Sequence, residues 1–388
     1  MDRIYLDNSA STKADPRVVE QMLPYFYEVY GNASSLHGFG REAKTAMEDS
    51  RAKLASFIGA KPKEVVFTSS GTESNNFALK GIAFANRGKG KHIIVSAIEH
   101  DAVLNPCQWL EEQGFDITYL AVDTDGLIDI NVLKKEIRED TILVSVMHAN
   151  NEIGTIEPIG IVGKICKDHG IYFHSDACQS FGRIPIDVNA QCLDLLTINA
   201  HKIYGPKGIG ALFIREGTKI MPWQQGGGHE MGLRSATENI PAIVGFAKTA
   251  ELCIEEMENE AKRLLGLREK IINSVLRDFP FAYLNGHRDY RLPNNINIGF
   301  AGLEGDAIRL LLELDEIGIA VSSGSACSSN GEHKASHVLS AIGLDPVRAR
   351  GALRVSLGRY NTQEEIDYFL NRFSEVLGNL KSITSVLI

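Results

Sequence analysis

Six cysteines in 388 residues are too few and too scattered for a disulfide framework. Even the closest two, Cys166 and Cys178, stand much farther apart than CxxC spacing, so there is no local zinc knuckle. No stretch reaches the roughly 18 uncharged apolar residues that a membrane helix needs. The opening Met1-Asp2-Arg3-Ile4-Tyr5-Leu6-Asp7 puts acids where a secretory leader has its apolar segment. Positive charge is in deficit, with 40 Lys and Arg against 49 Asp and Glu and a net charge of −9. No general basic surface is therefore offered to nucleic acid or anionic lipid. A GxxxxGK[ST] phosphate loop is missing, which argues against ATP hydrolysis. Internal repeats, low-complexity tracts and proline-rich linkers are also missing. These absences predict a cytoplasmic protein with no membrane contact and no direct nucleic-acid partner.

What is present is an ordinary globular balance, 44% hydrophobic and 23% charged. At roughly 150 residues per domain the length predicts two domains. Short β-branched runs at 64–69, 92–97, 117–122, 141–147, 171–175, 193–199 and 209–214 alternate with segments of helical spacing at 74–87, 102–113, 130–138 and 161–169. That alternation predicts a parallel sheet covered on both faces. Residues 242–277, rich in Glu, Lys and Leu, read as a connecting helix. A second unit follows, with strands near 294–300, 319–323 and 353–357 and helices near 306–314 and 364–380.

In such sheets ligands sit beyond the carboxyl ends of the strands. After the first run comes Ser70-Gly71-Thr72-Glu73-Ser74-Asn75-Asn76. A glycine opening a helix can seat a phosphate on free N–H groups, or it can mark an ordinary N-cap. Later runs lead into Glu99-His100, His148-Ala149-Asn150-Asn151-Glu152, His174-Ser175-Asp176-Ala177-Cys178-Gln179 and His201-Lys202. A carboxylate or an ammonium at the end of a central strand is costly to bury unless it is paired or used covalently. Singly, each feature is more often structural than functional. Jointly, a phosphate seat, an acid and a neighbouring lysine are what pyridoxal phosphate requires: the lysine as Schiff base, the acid to keep the ring nitrogen protonated. Lys207, in a Gly-Pro-Lys-Gly turn, is the rival to Lys202.

The segments YLDNSAST, TSSGTESNN, EH, HANNEIGT, HSDACQS, AHKIYGPKG, GGGHEMGLRSATEN, SSGSACSS and RVSLGRYNT run in order from Tyr5 to Thr362. The set resembles the NifS/IscS-type cysteine desulfurases, class V aminotransferase-like enzymes of fold-type I. That resemblance implies an α/β fold: a large domain, residues 16–256, with a mostly parallel seven-stranded sheet between helices, and a smaller α+β domain of residues 1–15 and 257–388. It implies pyridoxal 5'-phosphate on Lys202, Asp176 at the ring nitrogen, Gln179 at the ring hydroxyl, and His100 stacked on the ring as proton carrier. Gly71, Thr72, Asn199 and His201 would hold the phosphate, with Thr237 reaching the phosphate of the other subunit of a homodimer. Asn151, which would also contact the cofactor, and Arg354 would hold L-cysteine, and Cys327 would take its sulfur as a persulfide, leaving alanine.

The resemblance further implies an IscU-like iron–sulfur scaffold as sulfur acceptor, or a tRNA-thiolating enzyme. It makes Cys327 a candidate ligand, through its persulfide, of a [2Fe–2S] cluster shared with that scaffold. Small and polar residues around Cys327 predict a mobile segment. Asn199 replaces the family's usual Ser, Ala33 a Pro and Ala236 a Gly. A selenocysteine lyase, another aminotransferase and a non-catalytic assembly platform are the competing readings. The remaining cysteines read as packing residues, Cys178 among them.

Overall fold

The computed structural model describes residues 3–304, 307–323 and 335–384. Its strands are β1 (Ile4–Tyr5), β2 (Val65–Thr68), β3 (His92–Ser96), β4 (Asp116–Leu120), β5 (Thr141–Ser145), β6 (Tyr172–Asp176), β7 (Leu195–Asn199), β8 (Gly210–Ile214), β9 (Ala282–Leu284), β10 (Asn295–Phe300), β11 (Ile319–Ala320) and β12 (Ala352–Ser356). Its helices are α1 (Pro16–Met22), α2 (Pro24–Tyr27), α3 (Gly38–Phe57), α4 (Gly71–Asn86), α5 (Asp101–Glu112), α6 (Ile130–Glu136), α7 (Ile159–His169), α8 (Ile240–Asp278), α9 (Ala307–Glu316), α10 (His337–Ala341) and α11 (Gln363–Thr384).

The main sheet has seven strands in the order β2-β8-β7-β6-β5-β3-β4. Every residue of β2, β3, β5, β7 and β8 is buried, as strands covered on both faces must be. The alternation predicted a parallel sheet and the resemblance a mostly parallel seven-stranded one, and one strand of the seven runs the other way. β8 is antiparallel to both β7 and β2. The cause is the short connection from β7: a parallel return needs a crossover of a dozen or more residues, and residues 200–209 carry no helix. Since β2 and β7 both oppose β8, the carboxyl ends of β2, β3, β5, β6 and β7 emerge on one edge.

Helix α8 links two apolar clusters. Its first half, Ile240 to Cys253, is buried with the residues around the main sheet. Its second half, Leu264 to Val275, is buried with Ile4, Leu6, Ile296, Ile298, Val355 and Phe373. That second cluster backs the antiparallel sheet β12-β10-β9. The sequence reading missed α3, whose buried Ala43, Met47, Ser50 and Leu54 recur at helical spacing and pack along α8.

The N-terminal segment joins the two parts. Leu6 pairs by its backbone with Ala320 and Ser356, and Thr12 N–H then donates to the His201 carbonyl at 3.0 Å. Among the described residues no helix is long and apolar enough to cross a membrane.

Candidate active site

Helix α4 begins where β2 ends. Ser70 is its N-cap, the hydroxyl accepting from Glu73 N–H at 3.1 Å, and Gly71 opens the first turn. A Cβ at Gly71 would lie 2.5 Å from Cys178 Sγ and 3.3 Å from Asn199 Nδ2, so no larger residue fits without displacing that wall. The first-turn N–H groups of a helix have no partner within it and favour an anion. Gly71 and Thr72 present that end to a cavity of about 200 Å³.

Asp176, the last residue of β6, is 6% exposed and faces the same cavity. Its Oδ1 accepts from Cys178 N–H at 2.8 Å and its Oδ2 from Asn75 Nδ2 at 2.6 Å. Lys202 lies in the turn after β7, and its ammonium donates to the Ser9 carbonyl and to the Ala10 carbonyl, the latter at 2.8 Å. Thr12 fixes that turn, donating to the His201 carbonyl at 2.9 Å and accepting from Tyr204 N–H at 2.7 Å. Tyr204 itself adopts φ +70, a conformation rare for a side chain of its size.

Two imidazoles border the cavity. His100 caps α5, its Nδ1 accepting from Ala102 N–H at 3.0 Å, so a neutral ring carries its proton on Nε2. His201 is pushed down to about 4 by burial and by the charges of Lys202, Lys207 and Arg183, which keeps it neutral near pH 7. Opposite them, Arg354 is 2% exposed. Its Nη2 donates to Asp7 Oδ1 at 2.8 Å and its Nη1 to the Asn151 carbonyl at 3.2 Å, while its buried Nε has no partner. A guanidinium so placed can receive a carboxylate.

The single cavity thus gathers Gly71, Thr72, His100, Asn151 and Asp176, together with Gln179, Asn199, His201, Lys202 and Arg354. Thr237 is exposed on the loop before α8 and does not line it, and Lys207 does not line it either. Cys327, expected to carry sulfur and to be a cluster ligand, lies outside the described residues. Among the described residues no group of three or more His, Cys, Asp or Glu could hold a metal ion. Sequence reading missed Ser9 and Asn75, and took Cys178 for a packing residue, although it forms the wall between Gly71 and Asp176. Asn75 lies within TSSGTESNN, one helical turn beyond the glycine, where the run looks like ordinary capping.

The donor set fits a phosphorylated pyridine aldehyde. Asn199 Oδ1, Asn75 Oδ1 and Ser9 Oγ are buried at the cavity without a hydrogen-bond partner among the described residues. Such polar atoms are rare unless a ligand or water completes them. An anion seat, a carboxylate and an amine stand around the same space.

The aminotransferase class-V family model matches residues 4–369. The cysteine desulfurase IscS of Dictyoglomus turgidum is 52% identical over 381 residues, covering 98% of this chain and 96% of that protein. A solved NifS-like protein superposes with a TM-score of 0.91 at 40% identity, covering 97% of this chain and 99% of its own. The structure of SspA in complex with cysteine has a TM-score of 0.81 at 37% identity, covering 92% and 100%.

Proposed function

The chain belongs to the class-V aminotransferase family, and on that premise we propose that it works as a cysteine desulfurase on the fold-type I scaffold. It uses pyridoxal 5'-phosphate to convert L-cysteine into L-alanine and a persulfide on Cys327. The observation that carries this reading is the meeting of Asp176, Lys202, the α4 N-terminus and Arg354 around one cavity.

When bound, the cofactor supplies an electron sink for a bond broken at the substrate's Cα. Lys202 Nζ would hold it covalently, with Asp176 available to its ring nitrogen, Gln179 to its ring hydroxyl, and Gly71, Thr72, Asn199 and His201 to its phosphate. Arg354, with its unpartnered Nε, forks onto the carboxylate of cysteine beside Asn151. Lys202 Nζ would take the Cα proton, and His100 would carry protons through Nε2. The Cys327 thiolate then attacks the substrate sulfur. A sulfur–sulfur bond forms and the Cβ–S bond breaks. Its electron pair stays on the carbon skeleton, which takes up protons and leaves as alanine.

The sulfur goes on, in the cytoplasm, to an IscU-like iron–sulfur scaffold, with a tRNA-thiolating enzyme as the other acceptor; the Dictyoglomus relative's name, cysteine desulfurase IscS, supports the desulfurase step that supplies it. The working unit is a homodimer in which Thr237 serves the neighbouring site. Exposed Phe26, Tyr27, Tyr30, Leu36 and Phe39 support it, with the Tyr30 and Phe39 rings 5.6 Å apart, since exposed apolar side chains grouped together favour a partner. Residues 16–256 and 1–15 with 257–388 form its two domains, a reading supported by the two clusters along α8.

The test is alanine release from L-cysteine, with the persulfide mapped by mass spectrometry using labelled cysteine. The parent should carry labelled sulfur on Cys327, and Cys327→Ala should lose multiple turnover. Full activity in that variant would remove the assignment.

A further inference from the structure

Arg183 is only 8% exposed, and no carboxylate among the described residues forms an ion pair with it. Its hydrogen bonds go to carbonyl oxygens. Nη1 donates to the Gln179 main-chain carbonyl at 2.7 Å and to Gln179 Oε1 at 3.3 Å, and Nη2 donates to the Lys202 carbonyl at 2.6 Å. A guanidinium buried without an acid is costly, and the reaction scheme gives this one no task. The local backbone puts it there. After β6, Phe181 N–H donates to the Ala177 carbonyl and Ile184 N–H to the Ser180 carbonyl, so Gln179 and Arg183 come to one side of the turns. Gly182, at φ +72, passes so close to Ile203 that a Cβ would lie 3.1 Å from its side chain.

The fork settles how the Gln179 amide lies. A guanidinium only donates and a carbonyl only accepts. Arg183 Nη1 therefore holds Gln179 Oε1, and Gln179 Nε2 donates to the Ser9 carbonyl at 2.9 Å. Turned over, the amide would set donor against donor and oxygen against oxygen. The Ser9 carbonyl also accepts from Lys202 Nζ. Arg183, Gln179, Ser9 and Lys202 thus close a ring of hydrogen bonds, and the last three line the cavity. One N–H of Gln179 Nε2 goes to Ser9, and an amide nitrogen carries a second.

We propose that Arg183 is a positioning residue for the cofactor ring: its fork fixes the Gln179 amide with the nitrogen given to the ring hydroxyl, and ties that donor to the main chain of Lys202, which carries the anchoring amine. Donor and amine then keep one spacing, that of the adjacent hydroxyl and aldehyde groups of the ring. A lysine in place of Arg183 keeps the charge and loses the planar fork that reaches both residues at once. This inference rests on the cofactor reading above and deepens it.

The experiment is a double-mutant cycle on the full chain loaded with pyridoxal phosphate, comparing the parent, Arg183→Lys, Gln179→Ala and the double variant. The readout is the pH midpoint at which the lysine-bound cofactor changes its absorbance. Loss of the proton there leaves the negative charge of the ring oxygen uncompensated, so a donor to that oxygen lowers the midpoint and its removal raises it. Gln179→Ala should raise the midpoint by about one pH unit. Arg183→Lys should raise it by less, and the double variant no further than Gln179→Ala alone. A role confined to packing would weaken cofactor uptake and leave the midpoint in place. An unmoved midpoint in either single variant overturns the proposal, as do shifts that simply add in the double variant. Should Arg183→Lys fail to fold, Arg183→Met, apolar and of similar length, makes the same comparison. A parent that takes up no cofactor would instead overturn the cofactor reading, which keeps the two failures distinct.

Discussion

Arg354 Nη2 donates to Asp7 Oδ1 at 2.8 Å, across 347 positions of sequence, and this pair fixes a guanidinium that lines the cavity. The guanidinium is also fixed through its backbone, which exchanges two hydrogen bonds with Ser322 at 2.7 and 3.1 Å. Its direction therefore belongs to three segments at once: the N-terminal strand region, β12 and the residues after β11. Arg354→Lys keeps the charge and loses the planar fork. It should raise KM for L-cysteine roughly tenfold to a hundredfold while the protein still binds pyridoxal phosphate. Asp7→Asn, which only loosens the fork, should raise KM less. Steady-state kinetics check both, and an unchanged KM in Arg354→Lys would place the carboxylate elsewhere.

The other thiols near the sheet should be inert. Burial pushes Cys253 up to about 11 and raises Cys107 and Cys166 well above the ordinary thiol range. Burial, then the Asp176 charge, does the same for Cys178. The thiolate is the nucleophile, so iodoacetamide at neutral pH should leave these four unmodified in the folded protein and modify all of them after unfolding. Peptide mass spectrometry reads the result. Rapid labelling of Cys178 in the folded protein would make it a rival sulfur acceptor.

Glu157 gives stability a pH signature. Burial first, then the Asp123 charge, push its carboxyl up to about 8, against one N–H donor from Ile128 at 3.2 Å. The folded protein then holds a proton that the unfolded chain releases near pH 4.5. Stability from this group is fully present below about 4.5 and is lost progressively as pH rises toward 8. Relative to Glu157→Gln, the parent should lose on the order of 1 kcal/mol per pH unit across that window. Urea midpoints of both proteins from pH 5 to 8 provide the comparison. Parallel curves would show that Glu157 is ionised in the fold.

Arg51 and Glu230 form a buried two-point pair, Nη1–Oε2 at 2.7 Å and Nη2–Oε1 at 2.8 Å, and Phe67 N–H also donates to Glu230 at 2.7 Å. Glu230→Ala removes the buried carboxylate of the pair and leaves the guanidinium only the Val65 carbonyl at 2.8 Å and the partly exposed Glu48 at 3.2 Å. The expected loss is about 3–5 kcal/mol of unfolding free energy, read from denaturant titration. A loss below about 1 kcal/mol would mean that water reaches Arg51.

The site was legible in the sequence to the extent that strand order delivers it. Residues 71, 100, 151, 176 and 202 each follow a β-branched run, and parallel strands bring such positions to one edge. Asn75 was not legible because a Ser-Asn-Asn run at a helix start looks like ordinary capping, and only the fold reveals Asp176 beside it. Asp7 was hidden by its distance in sequence from Arg354. The reversal of β8 was hidden because an apolar run carries no direction, and only the missing crossover after β7 sets it. Helix α3 was hidden because its buried face mixes Ala, Ser and Arg with Met and Leu.

The central claim is that Lys202 is the covalent anchor for pyridoxal phosphate. Borohydride reduction of the cofactor-loaded protein, followed by peptide mass spectrometry, tests it most directly. The account predicts one phosphopyridoxyl group per chain, on Lys202, and none in Lys202→Ala. The group on Lys207, or no modified lysine in a protein that is loaded with cofactor, would contradict it.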